Sequence, residues 1–208
     1  MGVRDHLSFR LFTEADTGRL TDLLHRAYAP LAERGLNYTA VDQDAETTLQ
    51  RATSGATWLL FDVDELVGSV TMSLPPELLL QELTAEARAP GRVWFNQFAV
   101  APEHQNRGYG SLLRGRAFAW ARSQGATSVG LDTGLCADDL ISLYSHWGFR
   151  PVDVVQRPGK TYKSVIMVRD FPLESNTADR DQALAKLVGE LELTLPVDAY
   201  TPHSVQQR

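Results

Sequence analysis

At 208 residues, with 43% hydrophobic and 22% charged side chains, the chain suits one globular domain with an appendage, able to bury a core without disulfide or metal staples. A net charge of −6 and no basic block argue against a nucleic-acid backbone as partner, and leave a small basic metabolite or a protein amine electrostatically acceptable. Cys136 is the one cysteine, which excludes an internal disulfide and fits a reducing compartment. The opening residues carry no apolar signal core, and His6 stands where a myristoylation signal needs Ser or Thr. With no run long enough to span a membrane, a soluble cytoplasmic protein is expected, without membrane contact.

Residues 7–12 alternate and predict a first strand. Thr13 with Asp16 forms an N-cap pair for a helix whose stripe is Leu20, Leu23, Leu24, Ala27 and Tyr28. Pro30 is expected to end that helix, leaving residues 31–40 as loop. A second helix is read over 44–52, then two strands over 57–63 and 65–73 as a hairpin around Asp62 and Asp64. Residues 74–92, framed by Pro75-Pro76 and Pro90-Gly91, form a connecting excursion with a short helical piece. A strand over 93–100 leads through Pro102 to a helix over 110–124, with Leu113, Ala117, Trp120 and Ala121 on one face and Gly125 as C-cap. A strand over 128–133, a helix over 138–147 stopped by Gly148, and strands over 151–156 and 162–169 complete a domain of residues 1–170. From Phe171 the composition changes: Pro172, Ser175 and Asn176 mark a linker, and Leu184, Leu187, Val188 and Leu191 an amphipathic helix in a tail over 171–208.

The strongest chemical signal is Gln105-Asn106-Arg107-Gly108-Tyr109-Gly110 between a strand and a helix. Two glycines two apart let the backbone turn sharply and bring amides close to an anion, and the helix N-terminus adds a favourable dipole. A Walker A loop requires Gly-Lys-Ser/Thr, whereas Gly110 is followed by Ser111 and Leu112. A dinucleotide fingerprint requires a third glycine where Leu113 stands, although Asp132 lies where a ribose-binding acid would be.

The run Phe98-Ala99-Val100-Ala101-Pro102 leading into Gln105–Gly110 resembles the acyl-CoA signature of the GNAT superfamily of N-acetyltransferases, and Leu143-Tyr144-Ser145-His146-Trp147-Gly148-Phe149 resembles its second signature. The resemblance implies an α/β (α+β) fold: one mixed, mostly antiparallel sheet of about seven strands with helices on both faces. It also implies acetyl-CoA as co-substrate, an amine acceptor attacking directly in a ternary complex, and no metal. Carried over residue by residue, the main chain of Phe98, Ala99 and Val100 pairs with pantetheine like an added strand. Amides from Gln105 to Ser111, through Asn106, Arg107, Gly108, Tyr109 and Gly110, hold the pyrophosphate. Phe98 N–H serves as the oxyanion donor, and Tyr144 protonates the departing thiolate. One departure is Ala137, seven residues before Tyr144, where many members carry Asn; Asp138 and Asp139 are expected to cap the helix instead.

No base for the acceptor amine stands out. The candidates are Asp132, Glu103, His104 and His146, or a water held by Asn96 and Gln97; alternatively the acceptor's own pKa is low, as for an aromatic amine or an α-amino group. The family's acceptor pocket implies residues 28–38, 74–92 and 154–162, with Glu33, Arg34, Tyr38 and Arg157 as candidate recognition groups. A monomer or a homodimer fits the sequence equally. Two alternatives stay open: a non-catalytic acyl-CoA sensor, and a dinucleotide-binding oxidoreductase.

Overall fold

The structure is a computed structural model that describes residues 6–172. Seven strands form one sheet: β1 (Leu7–Leu11), β2 (Gly55–Asp62), β3 (Glu65–Ser73), β4 (Arg92–Val100), β5 (Ser128–Gly134), β6 (Arg150–Val155) and β7 (Ser164–Asp170). Their order is β1-β2-β3-β4-β5-β7-β6, and every neighbouring pair is antiparallel except β4 with β5. The expected mixed, mostly antiparallel seven-stranded sheet is therefore present. The helices are α1 (Thr17–Glu33), α2 (Thr39–Asp42), α3 (Ala45–Thr53), α4 (Leu78–Leu83), α5 (Tyr109–Ser123) and α6 (Asp138–His146).

Both faces of the sheet are covered, so the strands bury side chains in both directions. On β2, Trp58 and Leu60 join a core with α5 and α6, through Leu112, Leu113, Phe118, Tyr144 and Trp147. The alternate residues Leu59 and Phe61 join Leu20, Leu23 and Leu24 of α1 on the other face. Two-faced burial is why this hairpin reads as a nearly continuous apolar run. A smaller cluster under α4 holds Leu80, Trp94, Val155 and Ile166. Phe171 still belongs to the packed body: its ring lies 5.5 Å from that of Phe118. The amphipathic helix expected at Leu184–Leu191 lies outside the described residues.

Two helix boundaries differ from expectation. Pro30 lies inside α1, which runs on to Glu33. Pro30 forgoes the bond its N–H would make to Arg26 O and crowds that carbonyl, a cost offset by the burial of Leu31 in the continued helix. The true stop is Gly35, at φ 77°, which forms a Schellman cap: Leu36 N–H donates to Leu31 O and Gly35 N–H to Ala32 O. The N-terminal residue of α6 is preceded by Ala137 with no side-chain cap, so Asp138 and Asp139 do not cap as expected. They sit in the first turn, where carboxylates favour the helix dipole, and Asp139 pairs with Arg34 at 2.9 Å. Ala137 itself is fully buried in a cluster with Leu31 and Tyr162.

The junction of β1 and α1 rests on an ion pair. Arg10 reaches both oxygens of Asp16, at 2.5 and 2.6 Å, and Thr13 adds its N–H and Oγ to the same carboxylate at 2.9 and 2.8 Å. The bond from Arg10 holds the Asp16 pKa at about 2, against the cost of burial. Because the folded value lies below the unfolded one, this contribution is complete above about pH 4 and is lost as pH falls through about 2. Asp16→Asn is expected to cost about 2–3 kcal/mol at pH 7. In denaturant melts, the gap between wild type and variant should close as pH falls from about 4 to about 2.

Candidate active site

The site begins where β4 and β5 part. They pair at Arg92↔Ser128, Val93↔Val129 and Trp94↔Gly130, and no further. The Trp94 indole lies across Gly130, where an added Cβ would stand 2.3 Å from the ring, and its Nε1 donates to Asp132 Oδ1 at 3.1 Å. Farther along, β4 bulges against β3 at Gln97, which takes a left-handed φ of 45°. Ser69 Oγ holds the bulge carbonyl, and the buried Gln97 amide bonds Thr71 Oγ1 and Gln43. The β5-facing edge beyond Trp94 thus has no strand to pair with, although β4 remains tied to β3. Two cavities open there.

The first, about 950 Å³, is lined by Phe98, Ala99, Val100, Gln105, Asn106, Gly108, Tyr109, Gly110 and Ser111, together with Tyr144 and Trp147. Every candidate cofactor residue from the sequence lies here except Arg107, which is exposed and outside the lining. Asn106 and Gly108 both take left-handed φ, 62° and 86°, which turns the loop into a concave nest before α5. Ser111 and Leu112 N–H bond Gly108 O, whereas the amides of residues 106–110 have no backbone acceptor among the described residues. An added Cβ on Gly110 would meet Phe98 Cζ at 3.2 Å, so glycine keeps this wall of the cleft open. Tyr109 fastens the loop to the end of β2 through Asp62 at 2.8 Å. This donor set, at the N-terminus of a 15-residue helix, fits a pyrophosphate, and the cleft fits the rest of a CoA-sized molecule.

Tyr144 is held by its helix end. Gly148, at φ 83°, makes α6 terminate in a Schellman cap: Phe149 N–H donates to Tyr144 O and Gly148 N–H to Ser145 O. The Tyr144 ring packs edge-on against Phe95 and Trp147. Burial pushes its pKa well above the ordinary phenol value.

The second cavity, about 370 Å³, shares Tyr28, Phe98, Leu140 and Tyr144 with the first, and continues past the parted strands. Tyr28 Oη donates to Phe98 O at 3.0 Å, and burial raises its pKa to about 12. Tyr38 stacks on Tyr162 at 4.9 Å; its hydroxyl meets Thr133 Oγ1 at 2.9 Å and accepts from Gly134 N–H at 2.6 Å. Arg157 bridges Asp132 at 3.1 Å and Glu77. Burial works against the Arg157 charge, but these carboxylates outweigh it and raise its pKa. Asp132 lies in this cavity and not beside the glycine loop, which removes the ribose-binding role that a dinucleotide site would give it.

The other sequence candidates scatter. Glu103 is exposed and paired with Arg26, and His104 stacks on Tyr109 near Glu65, both on the phosphate-loop side. His146 lines the first cavity. Gln97 is committed to the bulge, so of the two amides suggested to hold a water, Asn96 has the freer place in the second cavity; its Nδ2 donates to Ser73 Oγ at 2.8 Å. Tyr38 and Arg157 line the second cavity, Arg34 lines the first, and Glu33 lines neither. Glu77 and Lys160 fall within the segments 74–92 and 154–162 expected of the acceptor pocket without being singled out there, and Trp94 and Arg51 fall outside every such segment. Of these only Trp94, facing a glycine in the next strand, carried a signal, and it requires knowing the β4–β5 register.

A mixed sheet whose central strands part beside a nest of amides at a helix N-terminus is an α/β architecture with room for an acyl-CoA ligand. The acetyltransferase (GNAT) family model matches residues 19–149, and the chain belongs to that family. It is 24% identical over 110 residues to the S-(2-succino)cysteine N-acetyltransferase of Bacillus subtilis (strain 168), a match spanning 50% of this chain and 59% of that protein. Its fold is similar to Ard1 from Thermoplasma volcanium (TM-score 0.62, 16% identity, 81% of this chain and 99% of that one). It is also similar to a GNAT family acetyltransferase from Elizabethkingia anophelis with acetyl-CoA bound (TM-score 0.57, 20% identity, 81% and 100%). At these identities the likeness is one of fold. No helix among the described residues is long and apolar enough to cross a membrane.

Because the Gly130 position is filled by the Trp94 ring, Gly130→Ala is expected to displace the indole and break its bond to Asp132, at a cost of about 1–3 kcal/mol. A denaturant melt with a shift in tryptophan emission checks this; unchanged stability and emission would contradict it.

Proposed function

We propose that the protein transfers an acetyl group from acetyl-CoA to a primary amine by direct attack in a ternary complex. The observation that carries this reading is the meeting of the two cavities at Phe98 and Tyr144, where β4 and β5 part. One cavity admits the thioester from the side of the phosphate nest and the other admits the amine, so the reacting atoms meet without a covalent enzyme intermediate. Acetyl-CoA supplies an activated acyl carbon. The amides of residues 106–110 bind its pyrophosphate, with Gln105 and Ser111, whose own N–H groups bond Pro102 O and Gly108 O, lining the cleft beside them, and the open edge of Phe98, Ala99 and Val100 aligns the pantetheine arm. Phe98 N–H donates to the acyl oxygen as negative charge develops there. Tyr144 delivers its phenolic proton to the departing sulfur, a fair leaving group with a thiol pKa of about 8.5, as the carbon–sulfur bond breaks, and the proton that the nitrogen sheds as the amide forms returns the phenol to its neutral state. The name of the Bacillus subtilis relative supports nitrogen as the acceptor atom. The same reading places the protein in the cytoplasm, as a monomer or homodimer working without a metal.

Thiol release from acetyl-CoA with a panel of amines tests this, alongside thermal shift with acetyl-CoA and with NAD. Stabilisation by NAD alone would overturn it. Binding without turnover, and no effect of Tyr144→Phe, would favour a non-catalytic acyl-CoA sensor. Tyr144→Phe is expected to lower kcat about 100-fold with acetyl-CoA affinity unchanged. Gly110→Val, which drives a branched side chain against Phe98, is expected to weaken acetyl-CoA binding about tenfold or more by calorimetry.

Burial disfavours the phenolate, so the raised Tyr144 pKa keeps the proton donor intact at alkaline pH. The acceptor amine, with an ordinary pKa of about 10, must lose its proton before attack. Hence kcat/KM should rise with pH and go on rising beyond about pH 9. A fall in that range for wild type that disappears in Tyr144→Phe would contradict the assignment.

A further inference from the structure

The second cavity carries a charge imbalance that the transfer chemistry does not use. Its ionisable lining comprises Arg51, Arg157 and Lys160 against Asp132 and Glu77, with tyrosines held neutral. Both carboxylates are already engaged by Arg157. That leaves Arg51 and Lys160 with neutral partners. Lys160 Nζ donates to Asn37 O and Thr39 Oγ1 at 2.7 and 3.0 Å, and burial, with Arg157 and Arg51 nearby, lowers its pKa.

Arg51 is the more telling of the two. It extends from the last turn of α3 and lines the second cavity without reaching the first. Its Nη1 donates to Gln43 Oε1 at 2.5 Å, and Gln43 in turn donates to Gln97 Oε1 at the β4 bulge. Among the described residues it has no carboxylate partner. Burial lowers its pKa, a sign that the cation is held at an electrostatic cost. A desolvated guanidinium tied by one hand to a neutral amide presents the rest of its donor fork to the cavity, and such a fork matches a carboxylate. The chain's overall −6 charge would draw cationic amines, whereas this lining disfavours a second positive charge beside the reacting nitrogen.

We propose that the acceptor is a small amino acid-like molecule, an amine that also carries a carboxylate, and that Arg51 binds this carboxylate while the nitrogen lies at the Phe98–Tyr144 junction. The inference rests on the acetyl-transfer reading and narrows its acceptor. It separates this chain from polyamine or lysine side-chain acetylation, whose acceptors bring only positive charge to the cavity.

Amino acids and their decarboxylated counterparts, such as phenylalanine with 2-phenylethylamine and methionine with 3-(methylthio)propylamine, form the test. The full set of common amino acids, spermidine and a lysine-containing peptide complete the panel. For each pair, kcat/KM should favour the carboxylated member by about 10- to 100-fold, the worth of one hydrogen-bonded charge contact. Arg51→Gln should bring that ratio toward one, Arg51→Lys should restore part of it, and calorimetric affinity for acetyl-CoA should hold in both. If decarboxylated amines, spermidine or the peptide are acetylated as well as or better than the amino acids by the wild-type protein, the carboxylate inference fails and acetyl transfer stands. If acetyl-CoA binds and no amine in the panel is consumed, acetyl transfer to amines fails with it.

Discussion

The parting of β4 from β5 is the constraint on which the rest of the site depends. A sheet satisfies its backbone by pairing, and the abandoned edge of a central strand leaves donors and acceptors that need partners. Here the separation is enforced from both sides. Trp94 lies across Gly130 at the last paired position and anchors to Asp132, and Gln97 bulges β4 with its side chain locked among Thr71 and Gln43. The edge that results is held in place on its other side by pairing with β3. A ligand that offers amide groups in an extended chain can complete it.

Around that split, three helix ends do separate work. The N-terminus of α5 points unpaired amides into the first cavity through a left-handed loop. The C-terminus of α6 sets Tyr144 at the junction, and its capping chemistry accounts for the Tyr-x-x-x-Gly-Phe spacing. In a Schellman cap the carbonyl three residues inside the helix end receives the N–H of the residue after glycine, here Tyr144 O from Phe149. The residue proposed as the proton donor therefore also anchors the cap. The C-terminus of α3, finally, delivers Arg51 to the far cavity.

Net charge and local charge point in opposite directions in this protein. The chain is acidic as a whole, yet the ionisable lining of the second cavity is cationic in balance. Screening by salt weakens the long-range field, whereas groups removed from water keep their interactions at short range. Specificity in a partly buried pocket follows the near groups.

What the sequence by itself determined was whatever is written within a few adjacent residues. Alternation and capping placed the seven strands and four longer helices, Gly108 and Gly110 marked the nest, and Tyr144 and Gly148-Phe149 marked a helix end, because each depends on local dihedral and hydrogen-bond preferences. Pro30 misled, since burial of Leu31 and the cap at Gly35 carried the helix through it. Tertiary structure alone decided the rest. Gln97 proved a bulge residue because Ser69, Thr71 and Gln43 surround it. Asp132 fell in the second cavity because β5 turns its side chain toward Trp94 and Arg157. Arg51, on an ordinary polar helix, gained meaning only from its place in the second cavity with a neutral amide, and among the described residues no carboxylate, paired with its guanidinium. Desolvation and charge pairing are properties of distant segments brought together, and no local pattern records them.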